Sequence, residues 1–157
     1  MKNIILFTSI LLACGLMMTN IYNSMVDVKS WGSSIPGSIE TAREYFRSVN
    51  PGNFFRVFSP ANQVLALLAV ILYWKSSVTI RVFLVIAFIM YILGDVFTFA
   101  YFYPRNDIMF KAVQLKDVEK LKNTWNEWKN MNWIRSLILL IGIIFSFLSL
   151  HKIYTLR

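Results

Sequence analysis

One cysteine, Cys14, is all the chain has, so no disulfide can close within it and cysteine usage does not report a compartment. The single histidine, His151, stands near the chain end. It excludes a multi-histidine metal or haem site within one chain and reads as an interfacial flank residue. A glycine-rich phosphate cradle and a nucleophile elbow are both missing, so neither a cofactor nor a metal is expected. Acidic side chains are also scarce, 8 against 16 basic ones, for a net charge of +8. In a soluble protein that excess would raise nucleic acid as a partner. Here the lysines and arginines gather in connections and at the ends of apolar runs, where they act as topology signals and contacts for anionic headgroups. No nucleic-acid partner is expected.

What the chain has in quantity is apolar surface, 57% hydrophobic and 16% aromatic over 157 residues. Four runs reach membrane length, at about 4–26, 54–74, 78–103 and 131–150. The expected fold is therefore all-α, an integral membrane four-helix bundle in one domain spanning 1–157, with the lipid bilayer as its first partner. Leu11-Leu12-Ala13-Cys14 resembles a lipoprotein cleavage box, but the apolar run continues through Leu16, Met17 and Met18, so the first span reads as a retained anchor.

The two long connections read as carriers of short amphipathic helices. In the first, Ser38 to Val49 places Ile39, Ala42, Phe46 and Val49 on one face, with Ser38 as N-cap. That helix lies either on the membrane surface or against the rest of the connection. In the second, Lys116 to Trp128 reads as a helix running into the last span. Pro104, after Tyr101-Phe102-Tyr103, is the expected stop of the third.

Four spans put both termini and the Lys75-Ser76-Ser77 turn on one side. That side carries Lys2, Lys75, Arg81, Lys152 and Arg157 in very short segments without acids. The other side carries more basic residues, spread over longer connections and mixed with acids. Short flanks weigh more, so both termini are expected in the cytoplasm, across a bacterial inner membrane.

The most informative stretch is Trp125 to Ser149. Trp125, Trp128, Asn132, Arg135, Leu139, Gly142, Ser146 and Ser149 fall on one helical face. Its outer part is aromatic, amide and guanidinium. Its deeper part is mostly small, which suits close helix approach within the chain or, in a homo-oligomer, to a second copy.

Asn20, Asn23, Arg56, Asn62, Gln63, Asp95, Thr98, Asn132 and Arg135 all fall in the half of the bundle nearest the long connections. Buried ionisable groups in a bilayer face the bundle interior and pair. The expected site is a polar pocket there, with Asp95 facing Arg56 or Arg135. Asn106 and Trp128 border it. The pocket suits a small lipophilic or aromatic molecule, ring faces from tryptophan and tyrosine meeting its plane while Arg135 and Asn132 orient its polar groups. Any chemistry would use Asp95 as acid or base, or the substrate's own reactivity. The other reading is an amide and ion-pair network that fixes helix register alone.

At these residues the chain resembles the anthrone-oxygenase-like family of four-span membrane proteins, most of them without an assigned function. The resemblance rests on the four-span layout, the Asn50-Pro51 turn leading into Phe54-Phe55, Pro104 with Asn106, and the run Trp128, Asn132, Arg135. The position of Asn132 is often histidine in that family, and a polar residue is common near Phe102. The chain departs at both. The resemblance implies a bundle with a polar pocket. Cofactor-independent oxidation of an anthrone-like polyketide is the enzymatic reading it leaves open, beside a structural or partner-binding bundle.

Overall fold

The computed structural model describes residues 2–111 and 117–156. Five helices occur among them: α1 (Lys2–Trp31), α2 (Gly37–Tyr45), α3 (Pro51–Leu72), α4 (Val78–Lys111) and α5 (Val118–Thr155). No strand occurs among the described residues. α1, α3, α4 and α5 are each long and apolar enough to cross a membrane. The protein is an all-α integral membrane bundle of four spans. α1 packs on α3 and α5, and α4 packs on the same two, so the spans close into a ring. The short turn between α3 and α4 makes those two antiparallel neighbours. Tyr73, beside the turn after α3, donates to Asn3, and Asn3 donates to Tyr154 at 3.2 Å. Both chain ends and that turn therefore share one end of the bundle.

Three spanning helices outrun the apolar stretches that announced them, all toward the long connections. α1 does not end near Val26. A π turn at Asn23–Asp27, closed by Val28 N–H onto the Asn23 carbonyl, carries it on to Trp31. Val28 and Trp31 are buried there, which repays the extra turns. The expected stop at Pro104 does not occur. The π turn Thr98–Phe102 precedes it, and Pro104 falls in the first turn of the segment Tyr103–Asn106. A proline is tolerated where its missing N–H would have no helical partner. A last π turn, Asp107–Lys111, ends α4.

The helix expected before the fourth span is continuous with it. α5 runs 38 residues from an N-cap at Asp117, whose carboxylate accepts from Lys120 N–H at 2.9 Å. Lys116, its expected start, lies outside the described residues, as do Met1 and Arg157. At about 1.5 Å per residue α5 is roughly 57 Å long, against about 30 Å of hydrocarbon. Its first turns stand beyond the bilayer core. The second connection thus holds no separate short helix among the described residues; the ends of α4 and α5 occupy it.

In the first connection α2 ends at Tyr45, short of the expected Val49. Ser38 does not cap it, and instead its hydroxyl bonds the Trp31 carbonyl. Ile39 and Ala42 are buried while Val49 is exposed. α2 packs through Ile39 and Ala42 on the outer ends of α1 and α4.

The interior is layered. Next to the termini, Leu6, Ile10, Ala69, Tyr73, Leu84 and Ile153 form one apolar cluster. The middle cluster joins Ala13, Leu16, Ala66, Ala87, Tyr91 and Leu139. At the far end Trp31 meets Trp128 at 5.3 Å and Phe110 at 5.0 Å between ring centroids, and Phe102 meets Trp128 at 5.1 Å. This aromatic cap roofs the bundle. Asn20, Ser24, Asn132, Arg135 and Ser136 form a buried polar layer between the cap and the middle cluster.

Candidate functional site

The centre of the polar layer is a reciprocal clasp between α1 and α5. Asn20 donates its side-chain amide to the Asn132 carbonyl (3.2 Å) and to Ser136 Oγ (2.7 Å). Asn132 donates its own to the Asn20 carbonyl (3.1 Å) and to Ser24 Oγ (2.6 Å). Each helix supplies an asparagine and, one turn later, a serine, and each asparagine reaches the other helix's backbone and serine. Two antiparallel helices presenting the same N-x-x-x-S spacing build such a pair naturally, since i and i+4 share a face. Asn20 and Asn132 are both 0% exposed.

The clasp is symmetric in its donors and asymmetric in its acceptors. Asn20 Oδ1 accepts from the Arg135 guanidinium. Asn132 Oδ1 is buried without a hydrogen-bond partner, and so is Arg135 Nε. The two atoms belong to residues three apart on α5, hence to one helical face.

Arg135 is buried, 8% exposed. Its guanidinium stands 5.1 Å from the Phe55 ring centroid and 4.8 Å from that of Phe102. Thr98 Oγ1 is a distant 3.5 Å away. Among the described residues no carboxylate lies within ion-pair distance of it. A buried cation is thus held by one amide oxygen and two ring faces, its positive charge uncompensated at contact range.

Asp95 does not face either arginine directly. Its carboxylate accepts from Ser59 Oγ at 2.7 and 2.8 Å and from Gln63 Nε2 at 2.7 Å. Ser59 and Gln63 are one turn apart on α3, so a single carboxylate on α4 meets both. Asp95 lies close enough for its charge to act on Arg135, but the bond is absent.

The remaining candidates scatter. Arg56 is exposed, on the outer side of α3. Asn62 is buried but turns toward the termini, accepting from Ser9 Oγ at 3.0 Å. Asn23 is buried one turn out from Asn20 and opens the π turn. Asn106 and Trp128 belong to the cap, where Trp128 Nε1 donates to Asn106 Oδ1 at 2.9 Å. The structure brings together Asn20, Asn132 and Arg135, with Asp95 alongside. Ser24, Ser136, Ser59, Phe55 and Phe102 complete the layer and were not candidates. The N-x-x-x-S spacing on both helices was the available signal for the two clasp serines.

The small residues of α5 are used within the chain. A Cβ on Gly142 would fall 2.6 Å from Tyr91 Cε1, and Tyr91 OH shares a 2.9 Å hydrogen bond with Ser146. Two open hollows lie outside the polar layer. One, of about 520 Å3, opens among Gly32, Ile35, Lys122 and Trp125. The other, of about 370 Å3, is lined by Ser24, Met25, Lys29, Trp125, Lys129 and Trp133. Ser24 belongs to both that groove and the clasp, so the groove abuts Asn132's partner.

Among the described residues no three metal-ligating side chains gather. No curated protein and no solved structure matches the chain significantly. A family model for anthrone oxygenase does, over residues 54–145, which takes in Phe55, Asp95, Asn132 and Arg135 and leaves out α1 with its half of the clasp. With more than half of its length inside that match, the chain belongs to the anthrone oxygenase family.

Proposed function

We propose that this protein binds a small lipophilic molecule through Asn132 and Arg135, one whose edge carries a hydroxyl beside a carbonyl or phenolate oxygen. The observation that supports this is the pair of buried atoms without partners, an acceptor at Asn132 Oδ1 and a donor at Arg135 Nε. A buried polar atom left unpaired costs about 1–3 kcal/mol, and two of opposite sense on one face match a donor–acceptor edge. The guanidinium, with no carboxylate at contact range, favours an oxygen carrying negative charge, and the Phe55 and Phe102 rings beside it favour a planar body.

The test is an anaerobic absorbance titration of purified protein with a hydroxyanthrone. Ionisation of the bound phenol against Arg135 shifts its long-wavelength band to the red, saturably. Arg135→Met and Asn132→Leu abolish the shift while eluting as folded protein. An unshifted band with wild-type protein, or a shift that both variants keep, overturns the proposal.

The family match favours one second reading, oxygenation of such a ligand with dioxygen and no cofactor. Asp95, held by Ser59 and Gln63, is the proton acceptor in that reading. Oxygen uptake on admitting air to the bound complex, lost in Asp95→Asn, separates it from binding alone. In both readings the termini face the cytoplasm of a bacterial inner membrane. Single cysteines at Ser76 and Lys120 in a Cys14→Ser background check this: labelling from outside at Ser76 reverses the orientation.

A further inference from the structure

The groove between the outer half of α1 and the start of α5 has chemistry that the clasp does not use. Lys29 and Lys129 line it, and Lys122 lines the adjoining hollow, which shares Gly32 and Trp125 with it. No acidic residue lines either one. Among the described residues, none of these three lysines is within ion-pair distance of a carboxylate. Lys129 Nζ is instead 4.9 Å from the Trp125 ring centroid. Trp125 is itself fixed, its Nε1 donating to the Val28 carbonyl at 2.7 Å and its ring lying where a side chain on residue 32 would be.

The polarity of the groove runs along the membrane normal. On α1, Met25 lies one turn closer to the bilayer centre than Lys29; on α5, Trp133 lies one turn closer than Lys129. One turn of four residues is about 6 Å. Met25, Trp133 and, further in, Tyr22 and Leu137 are all exposed and apolar or aromatic. Both helices therefore present cation outermost and hydrocarbon-compatible surface inward, in register. A free anion would use only the outer half of this surface. A molecule with an anionic head and acyl chains uses all of it.

From this register we infer that the groove is a binding site for an anionic phospholipid, its phosphate between Lys29 and Lys129 and its chains descending over Met25 and Trp133. Ser24 lines both the groove and the clasp, but the clasp's hydrogen bonds involve neither lysine, so the inference does not rest on the proposed ligand.

Native mass spectrometry of the full chain in mild detergent, with added phosphatidylglycerol or phosphatidylcholine, tests it. Phosphatidylglycerol adducts exceed phosphatidylcholine adducts by at least fivefold in the wild type. Lys29→Gln with Lys129→Gln removes that preference, whereas Lys75→Gln, at the opposite end of the bundle, keeps it. Lys29 is exposed and Lys129 half-buried, and an unchanged melting profile verifies that the double variant folds. Three results overturn the inference. They are equal retention of the two lipids by the wild type, an equal loss in Lys75→Gln, and displacement of the lipid by millimolar inorganic phosphate, which would make the site one for a free anion.

Discussion

Replacing Arg135 by methionine asks whether the guanidinium holds the bundle together or is held in it for another purpose. The substitution removes one charge-assisted hydrogen bond, to Asn20 Oδ1, together with contacts to two aromatic rings. The hydrogen bond contributes about 1.5–3 kcal/mol and each ring contact roughly 0.5–2 kcal/mol. The Thr98 contact, at 3.5 Å, adds little. Against that loss of about 2.5–7 kcal/mol stands relief from burying a cation with no carboxylate at contact range, about 2.5–3.5 kcal/mol at span depth. Methionine's own sulfur–aromatic contacts return roughly another 1 kcal/mol. The net change runs from a gain of about 2 kcal/mol to a cost of about 3.5 kcal/mol, with a mid-range cost of roughly 1 kcal/mol. For a chain of this size the mid-range cost lowers the melting temperature by about 2–4 °C, and the upper end by about 14 °C. Cys14, the only cysteine and half-buried, reports unfolding through a thiol-reactive fluorophore in a thermal ramp. The expected result is a nearly native melt with ligand binding abolished. A fall of more than about 16 °C would refute the reasoning and make Arg135 a structural keystone.

The α5 face was legible residue by residue because it obeys one period. Trp128, Asn132, Arg135, Leu139, Gly142, Ser146 and Ser149 are all buried, whereas Ile134, Leu137, Ile144 and Leu148 between them are exposed. A 3.6-residue repeat survives into the folded helix, so the face can be read before the partner is known. Partners are another matter. Which side chain meets Asp95 depends on how far α4 is rotated against α3, and Ser59 lies in a stretch whose exposed Arg56 looked the stronger mate on charge alone. Asn62 lay at the right depth and turned to Ser9. The π turns were not legible, since one extra residue per turn leaves no mark in composition. They lie where α1 and α4 run on toward Trp31 and Lys111.

Gly142→Ala places a methyl against the buried Tyr91 ring, with contacts at 2.6 and 3.0 Å, and Tyr91 cannot yield without straining its bond to Ser146. Overpacking of this kind costs about 1–3 kcal/mol, and the Cys14 melt should show it restored by adding Tyr91→Leu. Asp95→Asn should melt within about 1 kcal/mol of wild type: the amide oxygen still accepts from Gln63, and its NH2 can donate to Ser59 once that hydroxyl turns. Asp95→Leu strands both α3 partners and should cost more, and equal melts for the two would dismiss the hydrogen-bond account. The last prediction follows from the clasp's broken symmetry. Arg135 stands three residues after Asn132 and serves Asn20 Oδ1; three residues after Asn20 stands Asn23, buried, which serves nothing on Asn132. Asn23→Gln adds one methylene at that position and brings an NH2 group toward Asn132 Oδ1. The new bond should raise stability by about 0.6–1 kcal/mol, roughly 1–4 °C on the same melt. It should also weaken hydroxyanthrone binding several-fold, because the acceptor meant for the ligand is then taken. A more stable variant that binds unchanged would remove Asn132 Oδ1 from the ligand site. Unchanged stability would show that the symmetry stops at the serines. Gain of stability with loss of binding is what a register lock alone could not produce, since a lock with its last acceptor satisfied has no binding to lose.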